Sequence, residues 1–202
     1  MRLTEGAHAP DFLRQDLDDT SIALGEYRGR HVLLSFYRFS TCPFCNLRVR
    51  EVAAVTDDLI ARGVYPLAVF HSSAQAMRKQ LLGDPLPFPV LPDPGMSLYA
   101  DYDVERSWAG VLRGMKRLGV LARAVLRGHL PTPSDWRVNG MPADILIGPD
   151  GAVVRAYYGR DMGDHLPLDT VFELVSADTD AAPVGRNRRR RIHEDPAVHP
   201  RR

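Results

Sequence analysis

Cysteine is nearly missing: the 202 residues contain two, Cys42 and Cys45. One pair cannot make the disulfide framework of a small secreted domain. In a reducing compartment such a pair is more often catalytic or metal-binding than structural. Also missing is an apolar run long enough to span a bilayer. The opening residues, Met1 to Gly6, lead into polar sequence without the apolar stretch of a secretory leader. A cytoplasmic chain is expected. Net charge is scarce too, at +1, which excludes a general polyanion binder, and no nucleic-acid partner is expected.

What is present fits one domain over residues 1–177 followed by a polar, basic tail over 178–202, where disorder is expected. The run His31–Tyr37 is almost continuously apolar, as in a strand buried on both faces of a sheet. Leu47, Val49, Val52, Val55, Leu59 and Ile60 then fall at helical spacing, and Gly63 ends that stretch. Residues 64–70 read as a second buried strand, and Ser72 and Ser73 as caps of a helix through Leu82. Phe88–Leu91 reads as a short strand. Gly148-Pro149-Asp150-Gly151 turns between two alternating runs, an antiparallel hairpin. Asp16, Asp18 and Asp19 mark an N-terminal hairpin, and a last helix is expected over about 168–175. The fold class is α/β: a central mixed sheet flanked by helices.

Cys42-Pro43-Phe44-Cys45 stands between the first strand and its helix. Pro43 suits the first helical turn, and Ser40 and Thr41 are the candidate caps. At a helix start, N–H groups and the dipole favour a thiolate. Two intervening residues allow a small disulfide ring that opens and closes by exchange. The alternatives are half of a zinc site, with His71 as a third ligand at most, and two inert buried cysteines. A second feature, Met141-Pro142, leads a late strand. The favoured reading is a cis proline that leaves a backbone edge free for an extended substrate near the sulfurs. The alternative is an ordinary proline at a strand's first residue.

Together these features resemble the peroxiredoxin-like branch of the thioredoxin superfamily, the alkyl hydroperoxide reductase and thiol-specific antioxidant group. The matching segments are Ala9-Pro10-Asp11-Phe12, Leu24–Arg30, Ser35-Phe36-Tyr37 leading to the cysteine pair, Asp93-Pro94 with Leu98-Tyr99, Tyr102 and Val104, and Ile145–Gly151. The resemblance spans about residues 3–176 and implies a thioredoxin-like fold and an oxidoreductase without a cofactor. It also implies a peroxide or protein disulfide as substrate, a thiol reductant such as a thioredoxin-type donor, and room for a homodimer. The family's pattern is Pro, three residues, Thr, two residues, then the peroxidatic Cys. Laid here, it puts Cys45 at the peroxidatic position, Cys42 at the threonine and Arg38 at the proline. The family's late arginine falls on Pro142. Thioredoxins instead have both cysteines and that proline. In the thioredoxin reading Cys42 attacks and Cys45 resolves; in the peroxiredoxin reading Cys45 attacks and Cys42 closes the disulfide, and the framework match on both sides of the motif favours the second. Arg38 is read either as an electrostatic support of a thiolate or as a salt-bridged arginine at a strand end.

Two basic segments remain. From Arg106 to Leu130, Trp108, Val111, Leu112, Met115, Leu118, Ala122, Val125 and Leu126 recur at helical spacing among arginines and Lys116, with no acidic residue. This reads as an inserted amphipathic helix over about 105–130, packed on the protein's own core and tuning access to the thiols. A membrane-surface contact, weakened by losing Arg117 and Arg123, is the lesser alternative. Gly110, Gly114, Gly119 and Gly128 are read as weakening it. Arg188–Arg191 falls in the tail and is read as solvated. The expected activity is reduction of hydroperoxides or protein disulfides by a Cys42/Cys45 dithiol–disulfide cycle. The competing reading is a redox-sensing module switched by the same disulfide without turnover.

Overall fold

A computed structural model describes residues 2–81, 85–115, 119 and 139–181 of the chain. The expected N-terminal hairpin is formed by β1 (Leu13–Gln15) and antiparallel β2 (Ser21–Ala23). Asp16 makes its turn, with Oδ1 accepting the N–H groups of Asp18 at 2.8 Å and Thr20 at 2.9 Å.

The main sheet has β3 (His31–Tyr37) at its centre, with β4 (Val64–Phe70) and β5 (Val90–Pro92) added parallel on one side. On the other side β6 (Ala143–Ile147) pairs antiparallel with β3 and β7 (Val153–Tyr158) antiparallel with β6, giving the order β5-β4-β3-β6-β7. Every residue of β3 is buried, which explains the unbroken apolar run. Alternation sorts them: Val32, Leu34 and Phe36 enter one core, and Leu33 and Tyr37 enter the other together with both cysteines. The helices are α1 (Pro43–Ala54), α2 (Thr56–Ala61), α3 (Ala74–Leu81), α4 (Ser97–Asp101), α5 (Trp108–Met115) and α6 (Leu168–Ala181). Residues of α1, α2, α3 and α6 fill the cysteine-bearing core, while Leu98 and Tyr99 of α4 fill the opposite one.

Four expectations change. The helix expected after the cysteine pair is two helices broken at Val55, and Thr56 donates its hydroxyl back to Val52 O at 3.0 Å, a bond that competes with the helical ladder. The short strand starts at Val90 rather than Phe88, because Pro89 ahead of it has no N–H to pair and contributes only its carbonyl, 3.1 Å from Ala68 N. The last helix runs on to Ala181. Asp178, expected in the tail, instead pairs its carboxylate with buried His31 Nε2 at 2.7 Å. Residues 182–202, with Arg188–Arg191, lie outside the described residues, as do Lys116, Arg117, Arg123 and Arg127 of the basic segment.

Asp178→Ala is expected to cost about 1 kcal/mol, since only one partner is buried, and to lower Tm by about 2–4 °C. Thermal unfolding checks this; an unchanged Tm would mean that the folded core ends before Asp178.

Candidate active site

The loop between β3 and α1 carries Arg38 to Cys42 and is pinned from several sides. Tyr99, buried, sends its hydroxyl to the carbonyls of Tyr37 and Val69, fixing the ends of β3 and β4 together. His71 N–H donates to Arg38 O at 3.2 Å, and Ser40 N–H donates to Ser72 Oγ at 2.9 Å. Asn46, one turn into α1, donates Nδ2–H to Ser40 O at 2.8 Å and to Cys42 O at 3.0 Å. Ser72 thus holds the site loop instead of capping α3. That task belongs to Ser73, whose Oγ takes the N–H of Ala76 at 3.2 Å. The cap of α1 is Cys42 itself. Thr41 is buried beside it and is not the cap.

Both cysteines are free thiols with no exposed surface. Their surroundings make them unequal. Burial pushes the Cys42 thiol up, but the hydrogen bond from Cys45, the Arg38 guanidinium and the N–H groups of Cys45 and Phe44 bring it down to about 6. For Cys45, burial and the bond and charge of Cys42 push the thiol well above its ordinary value, against weaker opposition from Arg38. A pair sharing one proton this way ionises at Cys42 first.

Arg38 is the side chain that links these groups. It is 3% exposed. Its terminal nitrogen lies 3.5 Å from Cys42 Sγ, its Nε donates to Gly140 O at 3.0 Å, and its backbone N–H points to Cys45 Sγ at 3.2 Å. It also lies over the Phe39 ring. Of the two readings of Arg38, electrostatic support of a thiolate has a contact behind it, the guanidinium facing Cys42 Sγ.

Pro142 differs from expectation. No cis peptide bond occurs among the described residues, so the ordinary alternative holds: a proline immediately ahead of β6, its carbonyl accepting Gly159 N–H at 2.9 Å. The backbone edge before it is occupied. Ser107 N–H bonds Asn139 O at 2.8 Å, Met141 N–H bonds Glu105 O at 3.0 Å, and Arg106 bridges Gly140 antiparallel. The chain's own segment fills the place foreseen for a substrate. His71 borders Gly140 and contributes its ring to the packing of Phe39 and Tyr99. No group of three or more His, Cys, Asp or Glu suited to a metal occurs among the described residues.

The sequence reading missed a buried polar cluster on the cysteine side of the sheet. Asp144 of β6 lies opposite Ser35 of β3 and accepts its hydroxyl at 2.6 Å. It also accepts Leu166 N–H at 2.8 Å and faces His165 Nδ1 at 2.9 Å. Burial pushes the Asp144 carboxyl up, but His165, Arg48 and Ser35 hold it below its ordinary value. The signal in the sequence was a lone carboxylate inside the otherwise apolar run Ala143–Ile147.

The model of the AhpC/TSA family matches residues 6–157, three quarters of the chain. The chain belongs to the AhpC/TSA family. A Mycobacterium tuberculosis H37Rv protein that carries a peroxiredoxin name is 26% identical over 137 residues, covering 68% of this chain and 83% of that one. Among solved structures, the fold is similar to a reduced 2-Cys peroxiredoxin of Plasmodium vivax, with a TM-score of 0.64 at 17% identity, covering 87% of this chain and 82% of that one. It is also similar to the thioredoxin domain of a Bacteroides vulgatus thiol-disulfide oxidoreductase, with a TM-score of 0.56 at 17% identity, covering 86% and 99% of the two chains. This AhpC/TSA member is thus a thioredoxin-fold, thiol-dependent oxidoreductase, as its sequence led one to expect.

Asp144 gives this AhpC/TSA member a defined acid sensitivity. A carboxyl held low in the folded state contributes stability that is complete above its unfolded value of about 3.9 and is lost as pH falls through the lower folded value. Asp144→Ala is expected to strip partners from Ser35, His165 and Leu166 N–H, lowering stability by about 3 kcal/mol at neutral pH. It should also flatten the loss below pH about 4. Urea unfolding at neutral and acid pH checks both; a variant as stable as the parent would remove the cluster from the core's support.

Proposed function

We propose that the chain reduces hydroperoxides through a Cys42/Cys45 dithiol–disulfide cycle in which Cys42 attacks and Cys45 resolves. The observation that carries this reading is the placement of the pair: Cys42 stands at the N-cap of α1 with the Arg38 guanidinium nitrogen 3.5 Å from its Sγ, and its ionised form is the one favoured. It reverses the roles inferred from the motif alignment, where Cys45 takes the peroxidatic position. The Cys42 thiolate attacks one oxygen of the hydroperoxide, the O–O bond breaks, and the alkoxide leaves as an alcohol after taking a proton. Cys42 is then a sulfenic acid. The Cys45 sulfur displaces its hydroxyl, the S–S bond forms, and water leaves with the Cys45 proton. An external dithiol, of the thioredoxin type, restores both thiols by exchange.

Arg38 supports the thiolate and the leaving charge in this scheme. Pro142 and Thr41 support the site structurally and take no part in the sulfur chemistry. A protein disulfide is the second substrate class, since the same attack by Cys42 on a disulfide sulfur gives a mixed disulfide that Cys45 resolves. The cycle suits a reducing compartment, the cytoplasm. A homodimer is compatible with it and is not required, because both cysteines belong to one chain. The redox-sensor reading differs in turnover: it predicts one oxidation per chain in the presence of excess dithiol.

The test is a pair of serine variants treated with peroxide and then a sulfenic-acid trap. Cys45→Ser is expected to carry one trapped adduct on Cys42, while Cys42→Ser carries little or none. An adduct found on Cys45 in Cys42→Ser at the parental rate would restore the opposite assignment.

A further inference from the structure

α5 is unusual in what it buries. Its large apolar side chains, Trp108 and Leu112, are 63% and 61% exposed, four residues apart on one face. The face turned inward carries Gly110 and Gly114, also four apart. At Gly110 an added Cβ would lie 2.3 Å from Met141 Sδ and 3.2 Å from Arg160 O. At Gly114 it would lie 2.8 Å from Met162 Cε and 3.0 Å from its Cβ and Cγ. The glycines read from sequence as weak points are therefore the contact points, and the helix backbone rests directly on two buried methionines.

Both methionines are linked to the site of the cysteine pair, Met162 through the shared core and Met141 through its neighbour Gly140. Met162 belongs to the core cluster that holds Cys42, Cys45, Phe39 and Phe44, and Val111 of α5 packs against the same cluster. Met141 follows Gly140, whose carbonyl is held by Arg38. The strand-like contact of 105–107 with 139–141 leads straight into α5, with Ser107 Oγ accepting Gly110 N–H at 3.1 Å. The sulfurs themselves have no exposed surface, so any oxidant reaches them only after something moves. Among its described side chains, α5 sets Gly110, Gly114 and Val111 against the body and leaves Trp108 and Leu112 in water. Local opening draws on segments that bury little apolar surface.

Resting on the reading of Cys42 as the attacking thiol, we propose that the seam of Gly110 and Gly114 against Met141 and Met162 determines which oxidants reach the pair. While the seam is shut, only small hydroperoxides enter by brief fluctuations. Bulky organic hydroperoxides and protein disulfides react at the rate at which α5 and the 105–107 contact lift away. Glycine at 110 and 114 is a specificity-determining choice, because alanine would favour the isolated helix by about 1 kcal/mol and yet prevent its close seating.

The experiment compares the full-length parent with Gly110→Ala, using hydrogen peroxide and cumene hydroperoxide as oxidants and iodoacetamide and a bulky maleimide as alkylating agents. The expected result is a rise of about tenfold in the rates with the bulky reagents and less than about twofold with the small ones, that is, about 1.4 kcal/mol of gating removed. Hydrogen exchange at the Ser107 and Met141 amides should accelerate in step. Met141→Ala, which loosens the same seam by deletion, should act in the same direction if Gly110→Ala folds poorly. An unchanged ratio of bulky to small rates in both variants, with unchanged exchange at those amides, would overturn the proposal. Mass spectrometry locates the first cysteine modified: finding it to be Cys45 would contradict the assigned roles while leaving the size selectivity to be judged on its own.

Discussion

A guanidinium removed from water needs anions or carbonyls around it, because its charge is costly to leave uncompensated. Arg38 has Cys42 Sγ and Gly140 O among its partners. The rest follows from this constraint. The charge favours a thiolate at Cys42, and the ionised Cys42 in turn discourages ionisation of its neighbour. A reversible pair needs this inequality: one sulfur to attack, one to keep its proton until the first has reacted. The same side chain ties the loop after β3 to the segment ahead of β6, so that charge and architecture share a single residue.

Below the pair, the sheet supplies rigidity. Ser35 and Asp144 face each other across β3 and β6, and Asp144 collects the loop at His165 and Leu166. Fully bonded, a buried carboxylate ties elements together more specifically than apolar packing. Above the pair the contacts are of another kind, with α5 resting by its glycines on thioethers. A firm floor and a lightly seated cover suit chemistry that must exclude water and still admit an oxidant.

Much of this was legible in the sequence where the signal is local. The buried strand 31–37, the hairpin around Gly148–Gly151 and the placement of Cys42 and Cys45 at a helix start depend on neighbours in the chain, and the family framework extended over most of it. The hairpin before residue 27 was legible for the same reason. What was not legible depends on register and contact. Asp144 meets Ser35 because β6 pairs antiparallel with β3, and His165 reaches Asp144 from a loop twenty-one residues on. Ser72 looks like a cap in sequence and becomes a clasp for Ser40 only in three dimensions. The edge beside Pro142 looked open because nothing local reveals that residues 105–107 would occupy it. The order of attack is not legible from the motif either, which fixes positions, whereas the thiolate depends on the groups that surround each sulfur.

The central claim is that Arg38, together with the hydrogen bond from Cys45, makes Cys42 the thiolate. It is tested most directly by following thiolate absorbance against pH in the reduced protein and in Arg38→Met, which keeps the chain's length and loses its charge. The account predicts a first ionisation near about 6 in the parent, assigned to Cys42 by its loss in Cys42→Ser. In Arg38→Met that step should move up toward the ordinary thiol value of about 8.5. A first ionisation that stays in place in Arg38→Met, or that survives in Cys42→Ser and vanishes in Cys45→Ser, would contradict it.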